Sequence, residues 1–278
     1  KTIADPIRRR FAGMVTAVDE GIGNITRALQ VKGMLQDSVI IVTTDNGGPT
    51  HECAAIGASN WPLRGGKCSI WEGGTRGTGL VYAPGVMTQG FTWTGLMHAA
   101  DWLPSLVEGV AMEDAAKIPD EATLPLDGVN LWHALLANQK SPRNNMYYGI
   151  WDATIGNGGP ALRNAEGWKL IVGGGGGTGD WPRPPARNFI SNESAPTPVV
   201  LEDAPPGKYL LFNLNDDPSE HKECSSDHPE IAQVLLMELR KQQATSAPQA
   251  TGDKSCPPLK KRKVLGPWCD KTEVEVVV

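Results

Sequence analysis

The chain has 278 residues, 40% of them hydrophobic and 21% charged, with 26 Lys and Arg against 31 Asp and Glu for a net charge of -5. This describes a soluble globular chain of one large or two ordinary domains, and its mild acidity gives no reason to expect nucleic acid as a partner. No apolar run approaches the roughly 18 residues of a membrane-spanning helix. Lys1 to Pro6 is neither a signal peptide nor headed by Met, so the chain reads as a piece of something longer.

Residues 8–32 are expected to form an amphipathic helix, with Phe11, Met14, Val15, Val18, Ile22, Ile25 and Leu29 on one stripe and Gly33 ending it. Asn24, in the sequon Asn24-Ile25-Thr26, falls opposite that stripe, where a glycan would face solvent. Val39-Ile40-Ile41-Val42-Thr43-Thr44 then reads as a strand buried on both faces of a parallel sheet. It stops at Asp45-Asn46-Gly47-Gly48. Ligands of open α/β sheets bind beyond the carboxyl ends of the strands, and an acid and an amide at such a tip offer hard oxygen ligands suited to Ca²⁺ or Mg²⁺. The same four residues also make good turn chemistry, so this stretch alone leaves both readings open.

The glycine-dense segment from Arg64 to Gly77, with Arg64, Lys67 and Arg76, suggests backbone and cations gathered around an anion, or else a solvated loop. Gly79 to Pro84 is a further strand. Met97 to Val110 is expected to be helical, with Trp102, Leu103, Leu106 and Val107 on one side; His98 and Asp101, three apart, fit a structural hydrogen bond better than a metal or acid–base pair. A short helix around Leu135 and Leu136 follows.

Near Arg143 the character shifts to short strands broken by Gly, Pro and Asn: Met146 to Tyr148, Ala161 to Arg163, Trp168 to Val172 and Tyr209 to Leu214. That is the pattern of a small antiparallel sheet. The division expected is residues 1–143 as an α/β part and 144–278 as a smaller domain. The run Gly173 to Gly177 lacks the lysine and helix start of a phosphate loop and reads as a flexible hairpin end. His228 to Lys241 is an amphipathic helix, and the basic run Lys260 to Lys263 a solvated patch. The five cysteines, Cys53, Cys68, Cys224, Cys256 and Cys269, form no Cys-x-x-Cys pair or zinc-finger spacing. A second sequon, Asn192-Glu193-Ser194, joins Asn24 in leaning towards the secretory route.

Several of these segments resemble the type I sulfatases, most closely the arylsulfatase B branch. They include Phe11 to Val15, Asp19 to Asn24, Thr44 to Gly48, Asn60 to Lys67, Trp71 to Gly77, His98 to Leu106, Gly167 to Leu170, and Phe212 to Leu214 with Asp217 to Glu220. The resemblance implies an alkaline-phosphatase-like α/β sandwich, here without its N-terminal half, followed by a small α+β domain with a four-stranded antiparallel sheet. It implies that Asp45 and Asn46 are Ca²⁺ ligands, that Lys67 holds a sulfate oxygen, and that the nucleophile is a formylglycine made from the cysteine of Cys-x-Pro-Ser-x-Arg. None of the five cysteines sits in that motif, so the nucleophile belongs N-terminal to Lys1 in the family order and this chain by itself is expected to be inactive. Cys256 would then have its partner in that part. Substrates of such a parent would be sulfated carbohydrates or aryl sulfates, its location lysosomal or secreted. Two rivals stand beside this reading: a metal-dependent phosphatase or phosphodiesterase of the same superfold, and a non-catalytic pseudo-enzyme fragment that binds sulfated glycans. Asn46, where a zinc phosphatase would carry histidine, favours an oxygen-liganded ion.

Overall fold

The computed structural model describes residues 3, 5–50, 57–87, 90–112, 126–149, 158–177, 179–182 and 209–245. All of these except Thr245 belong to one compact unit, Lys1–Ala244. Asn192, three of the five cysteines (Cys53, Cys256 and Cys269) and the basic run 260–263 lie outside the described residues.

The first helix, α1 (Pro6–Val31), starts where Asp5 accepts from the backbone N–H of Ile7 and Arg8 and Pro6 occupies the first turn. It stops at Gly33, whose φ of 69° is the left-handed conformation that a helix end favours. The expected stripe is present but uncovered: Met14, Val15, Val18 and Ile25 are exposed, and no residue of α1 is fully buried.

Strand β1 (Ile40–Thr43) corrects the parallel-sheet expectation. It pairs antiparallel with β2 (Gly79–Tyr82), in a two-stranded ribbon with Ile41 opposite Val81, and none of its residues is fully buried. A continuous apolar run signals a strand able to be covered on both faces, but it carries no information about the direction or number of its neighbours. Between the two strands lies a single helical turn, α2 (Glu72–Thr75). The segment from Met97 is a 3₁₀ turn, Ala99–Asp101, followed by α3 (Trp102–Gly109). Its buried side is Pro104 and Ser105, while Leu103 is exposed, because Ser105 Oγ accepts from the Leu131 N–H at 2.8 Å and turns that side inward. Helix α4 (Trp132–Leu136) packs beside α3.

The second sheet agrees with its expectation: β3 (Asn145–Tyr148), β4 (Ala161–Asn164), β5 (Trp168–Val172) and β6 (Tyr209–Asn213) run antiparallel in sequential order. Both faces are covered. Leu162, Leu170 and Leu211 pack with Ala232, Leu235 and Leu239 of the last helix, α5 (Pro229–Thr245). Ala161, Ile171 and Phe212, one residue out of step, pack on the other face against Ile70 and Trp71. Trp71 meets Phe212 edge-on, with ring centroids 5.9 Å apart. The two-residue period of the strands thus sorts their side chains between a helix on one side and the loop that precedes α2 on the other.

The glycine run is part of this packing, which corrects the flexible-hairpin reading. The carbonyl of Gly175 accepts from the Ile70 N–H at 2.8 Å, and that of Gly176 from the Trp71 indole N–H at 3.1 Å. Gly175 has φ 75°, and a Cβ there would run into the Trp71 ring. Gly175→Ala therefore combines a strained backbone with a steric overlap, and is expected to lower stability by about 2–3 kcal/mol, read as a shift of the urea midpoint at constant slope. A shift below roughly 0.5 kcal/mol would mean that the run does not lean on Trp71 as described.

Candidate active site

Beyond β1 the chain is held in place link by link. Thr44 N–H donates to the Thr78 carbonyl at 3.0 Å and Thr44 Oγ1 accepts from the Thr78 N–H at 2.9 Å, so the ribbon's end is closed. Asp45, exposed, accepts from the Asn46 N–H at 2.9 Å. The Asn46 amide nitrogen donates to the Gly47 carbonyl at 2.7 Å, which leaves the oxygen end of that side chain for a ligand. Gly47 is buried against α2: its N–H donates to the Gly74 carbonyl at 2.9 Å, and a Cβ on it would overlap the Gly73 carbonyl. Gly48 then contacts the following loop. Its carbonyl accepts from the Lys67 N–H at 3.2 Å, which sets the half-buried Lys67 beside the turn that carries Asp45 and Asn46. The backbone of Lys67 is thereby tied to the turn that carries Asp45 and Asn46. Asn24 is elsewhere, exposed on α1, with its side-chain oxygen accepting from Arg27 at 3.4 Å.

Asp45 and Asn46 offer hard oxygen donors, as Ca²⁺ prefers, but they supply a minority of the roughly six to eight ligands such an ion takes. Among the described residues no group of three or more His, Cys, Asp or Glu side chains is arranged to hold a metal ion. The donors present fit the ion in chemistry and fall short of it in number.

Two of the three cations expected around an anion serve the structure instead. Arg64 is buried between aromatic rings, 3.5 Å above the Trp71 centroid and 4.3 Å from that of Trp181, and its Nε donates to the Gly179 carbonyl at 2.6 Å. Burial lowers its pKa to about 10, against the pull of Glu220 and neighbouring acids. Arg76 pairs with Glu72 at 2.7 Å. Glu72 is the centre of a cluster that sequence reading missed. Its carboxylate also meets Arg163 at 3.3 Å and Lys169 at 3.0 Å, and Lys169 reaches Glu220 at 2.9 Å. The Glu72 N–H donates to the other Glu220 oxygen at 2.7 Å. Strand register explains the grouping, since Arg163 lies opposite Lys169 and Lys169 opposite Phe212 on the face that receives Trp71. The alternation of β5 was the one available signal, because it puts a lysine in step with Ile171 on a covered face.

His98 and Asp101 form a helix cap. The Ala100 N–H donates to His98 Nδ1 at 3.1 Å, and the His98 N–H donates to Asp101 Oδ2 at 2.7 Å. Burial and the nearby Arg143 push the His98 pKa down, so the ring is a neutral acceptor. Asp101 is fully buried and its carboxylate is held by Arg143, a partner 42 residues away.

The α/β part and the small antiparallel sheet together have the alkaline-phosphatase-like fold, which solved structures share with TM-scores of 0.62 and 0.55. A sequence profile described as Sulfatase matches residues 2–109. The chain is 34% identical to mouse arylsulfatase J over 96% of its own length and 46% of that protein's. It is 30% identical to human N-acetylgalactosamine-6-sulfatase, over 82% of the chain and 41% of the relative. The crystal structure of the PsFucS1 sulfatase from Pseudoalteromonas superposes with a TM-score of 0.57 at 26% identity, covering 82% of this chain and 41% of that one. The chain belongs to the sulfatase family. It spans about half the length of the curated relatives it matches, 46% in the first case.

Proposed function

We propose that the full-length parent is a sulfuric ester hydrolase of the arylsulfatase type, with sulfated carbohydrates or aryl sulfates as substrates. Residues 1–143 are then the C-terminal part of its catalytic α/β domain, and 144–278 the smaller domain. The observation that supports this reading is the 3.2 Å bond from the Lys67 backbone N–H to the Gly48 carbonyl, which ties the segment of Lys67 to the turn that carries Asp45 and Asn46. The names of the relatives, arylsulfatase and N-acetylgalactosamine-6-sulfatase, supply the substrate class. Asp45 and Asn46 would hold Ca²⁺, which when bound polarises the sulfate group. Lys67 would hold a sulfate oxygen and stabilise the negative charge that grows as the alcohol departs. The formylglycine nucleophile is expected upstream, and this chain by itself to be inactive. A secretory route, lysosomal or extracellular, is supported by the disulfide at Cys68 and by the sequon at exposed Asn24. No helix among the described residues is long and apolar enough to cross a membrane.

The test is hydrolysis of a chromogenic aryl sulfate by the full-length parent. Turnover is expected to require Ca²⁺, and Lys67→Ala to lower kcat by about 10²–10³-fold. Hydrolysis of phosphate monoesters in preference to sulfate esters, with zinc as the activating ion, would replace this reading by the phosphatase one. Sulfated-glycan binding without turnover would replace it by the pseudo-enzyme.

A further inference from the structure

We propose that Asn60 is a positioning residue whose side chain locks the Asp45–Gly48 turn onto the segment that carries Lys67. Its amide uses both ends. Oδ1 accepts from the Gly48 N–H at 2.8 Å, while Nδ2 donates to the Gly48 carbonyl at 2.9 Å and to the Gly65 carbonyl at 3.0 Å. The paired bonds to Gly48 reproduce with a side chain the two-bond exchange between facing residues of an antiparallel ladder. The third bond crosses to Gly65, two residues before Lys67. The Gly48 carbonyl is shared, accepting from Asn60 Nδ2 and from the Lys67 N–H. Asn60 thus meets both ends of one short circuit: the turn two residues past Asn46 and the backbone two residues before Lys67.

The surrounding glycines are closely packed. A Cβ on Gly66 would stand 2.6 Å from Thr50 Oγ1, 2.8 Å from the Gly48 carbonyl and 3.1 Å from Asn60 Nδ2, and one on Gly48 would overlap the Ala58 Cβ and stand 3.2 Å from Asn60 Oδ1. Neither position leaves room for a side chain, and Asn60 is one of the groups that fill the space. Only an amide serves there, because the site presents one donor and two acceptors. Aspartate has the same shape but, ionised, is acceptor-only, so its second oxygen would face the carbonyls of Gly48 and Gly65. Aspartate keeps the bond from the Gly48 N–H and turns the other two into repulsions; alanine removes all three. The catalytic consequence rests on the sulfatase reading. The tie itself does not.

Two measurements separate them. The first is hydrogen exchange on this 278-residue chain, with wild type, Asn60→Asp and Asn60→Ala. Backbone amides in residues 45–50 and 64–69 are expected to exchange about tenfold faster or more in both variants, as the loss of net hydrogen bonds of ordinary strength implies, while strands β3–β6 keep their protection. Unchanged exchange in both segments overturns the proposal. So does acceleration that spreads equally to β3–β6, since Asn60 would then be a general stabilising residue. The near-isosteric aspartate variant keeps the test available if the alanine variant fails to fold. The second measurement is kcat and KM of the full-length parent on an aryl sulfate. Asn60→Asp is expected to lower kcat about tenfold or more with KM within about threefold, because misplacement affects the transition state more than ground-state binding. Loosened segments with an unchanged kcat would remove the positioning role. A wild-type parent without turnover sinks the sulfatase reading alone, because exchange judges the tie independently of activity.

Discussion

Replacing Lys169 with methionine is expected to destabilise the chain by about 3–5 kcal/mol, the cost of leaving a buried charge without its partner. The ammonium group is wholly buried; it donates to the Ile70 carbonyl at 2.7 Å and to Glu72 at 3.0 Å, and forms an ion pair with Glu220 at 2.9 Å. Without it Glu72 keeps Arg76 and Arg163, but Glu220 keeps the Glu72 N–H and faces a second carboxylate. The double variant Lys169→Met with Glu220→Gln is therefore expected to recover a large part of the loss. A urea titration of the single and double variants measures this coupling. A single variant within about 1 kcal/mol of wild type would show that the cluster is not the clasp between the segment before α2 and the sheet.

The same cluster predicts a pH dependence. Burial pushes Glu72 up, but Lys169, Arg163 and Arg76 outweigh it and hold its pKa at about 2, against an ordinary 4.5. A folded-state pKa below the unfolded one contributes stability that is present above pH 4.5 and is lost as pH falls towards 2. Glu220 moves the other way, raised by burial, with Lys169 opposing and Glu72 adding. Its charged form costs stability, and that cost is relieved as the pH drops below its raised pKa. Burial would lower Lys169, but Glu220 and Glu72 raise it, so its contribution is full below its ordinary 10.5 and is lost only in stronger alkali. Glu72 is thus expected to contribute to an acid limb below pH 4.5. Thermal melts from pH 7 down to about pH 2 are expected to show that limb in wild type and a flatter one in Glu72→Gln. Identical limbs would assign acid unfolding to other carboxylates.

Arg143→Met should be about as damaging, again by roughly 3–5 kcal/mol. The guanidinium holds both oxygens of Asp101, with Nε at 2.7 Å from one of them, and also donates to the carbonyls of Asn145 at 3.0 Å and Asp127 at 2.8 Å. Asp101 would be left fully buried with the N–H groups of His98 and Val129 as its donors. Asp101→Asn, which removes the charge and keeps the shape, should cost less, because Arg143 keeps the Asn145 and Asp127 carbonyls as acceptors. Equal losses in the two variants, measured by the same titration, would mean that packing rather than the ion pair holds this joint. Arg143 stands where the sequence changes character, so that change marks a joint tied by a buried pair.

Local signals in the sequence were enough for most elements. Asp5, Pro6 and Gly33 bracket α1, and the alternation of Trp168 to Val172 announces β5, because capping and side-chain period depend on neighbours a few residues away. The chemistry of the site was legible in the same way: an acid and an amide at a strand end, and a lysine in a glycine-dense loop. What the sequence could not reveal was assignment over distance. Arg64, Lys67 and Arg76 look equivalent as cations, yet Arg64 is taken by two tryptophans, Arg76 by Glu72, and Lys67 is joined through its backbone N–H to the turn after β1. Asn60 and Lys169 gave no sign of their roles, since each depends on partners brought in by the turn and strand register rather than by spacing.

The sequence by itself therefore determined the order and kind of most elements and the family. The tertiary structure alone decided that β1 runs antiparallel to β2, that the five-glycine run seats Trp71, and which charges are spent on holding the fold. The physical reason is that short-range preferences are written in each segment, whereas burial and pairing belong to whichever distant groups exclude water together.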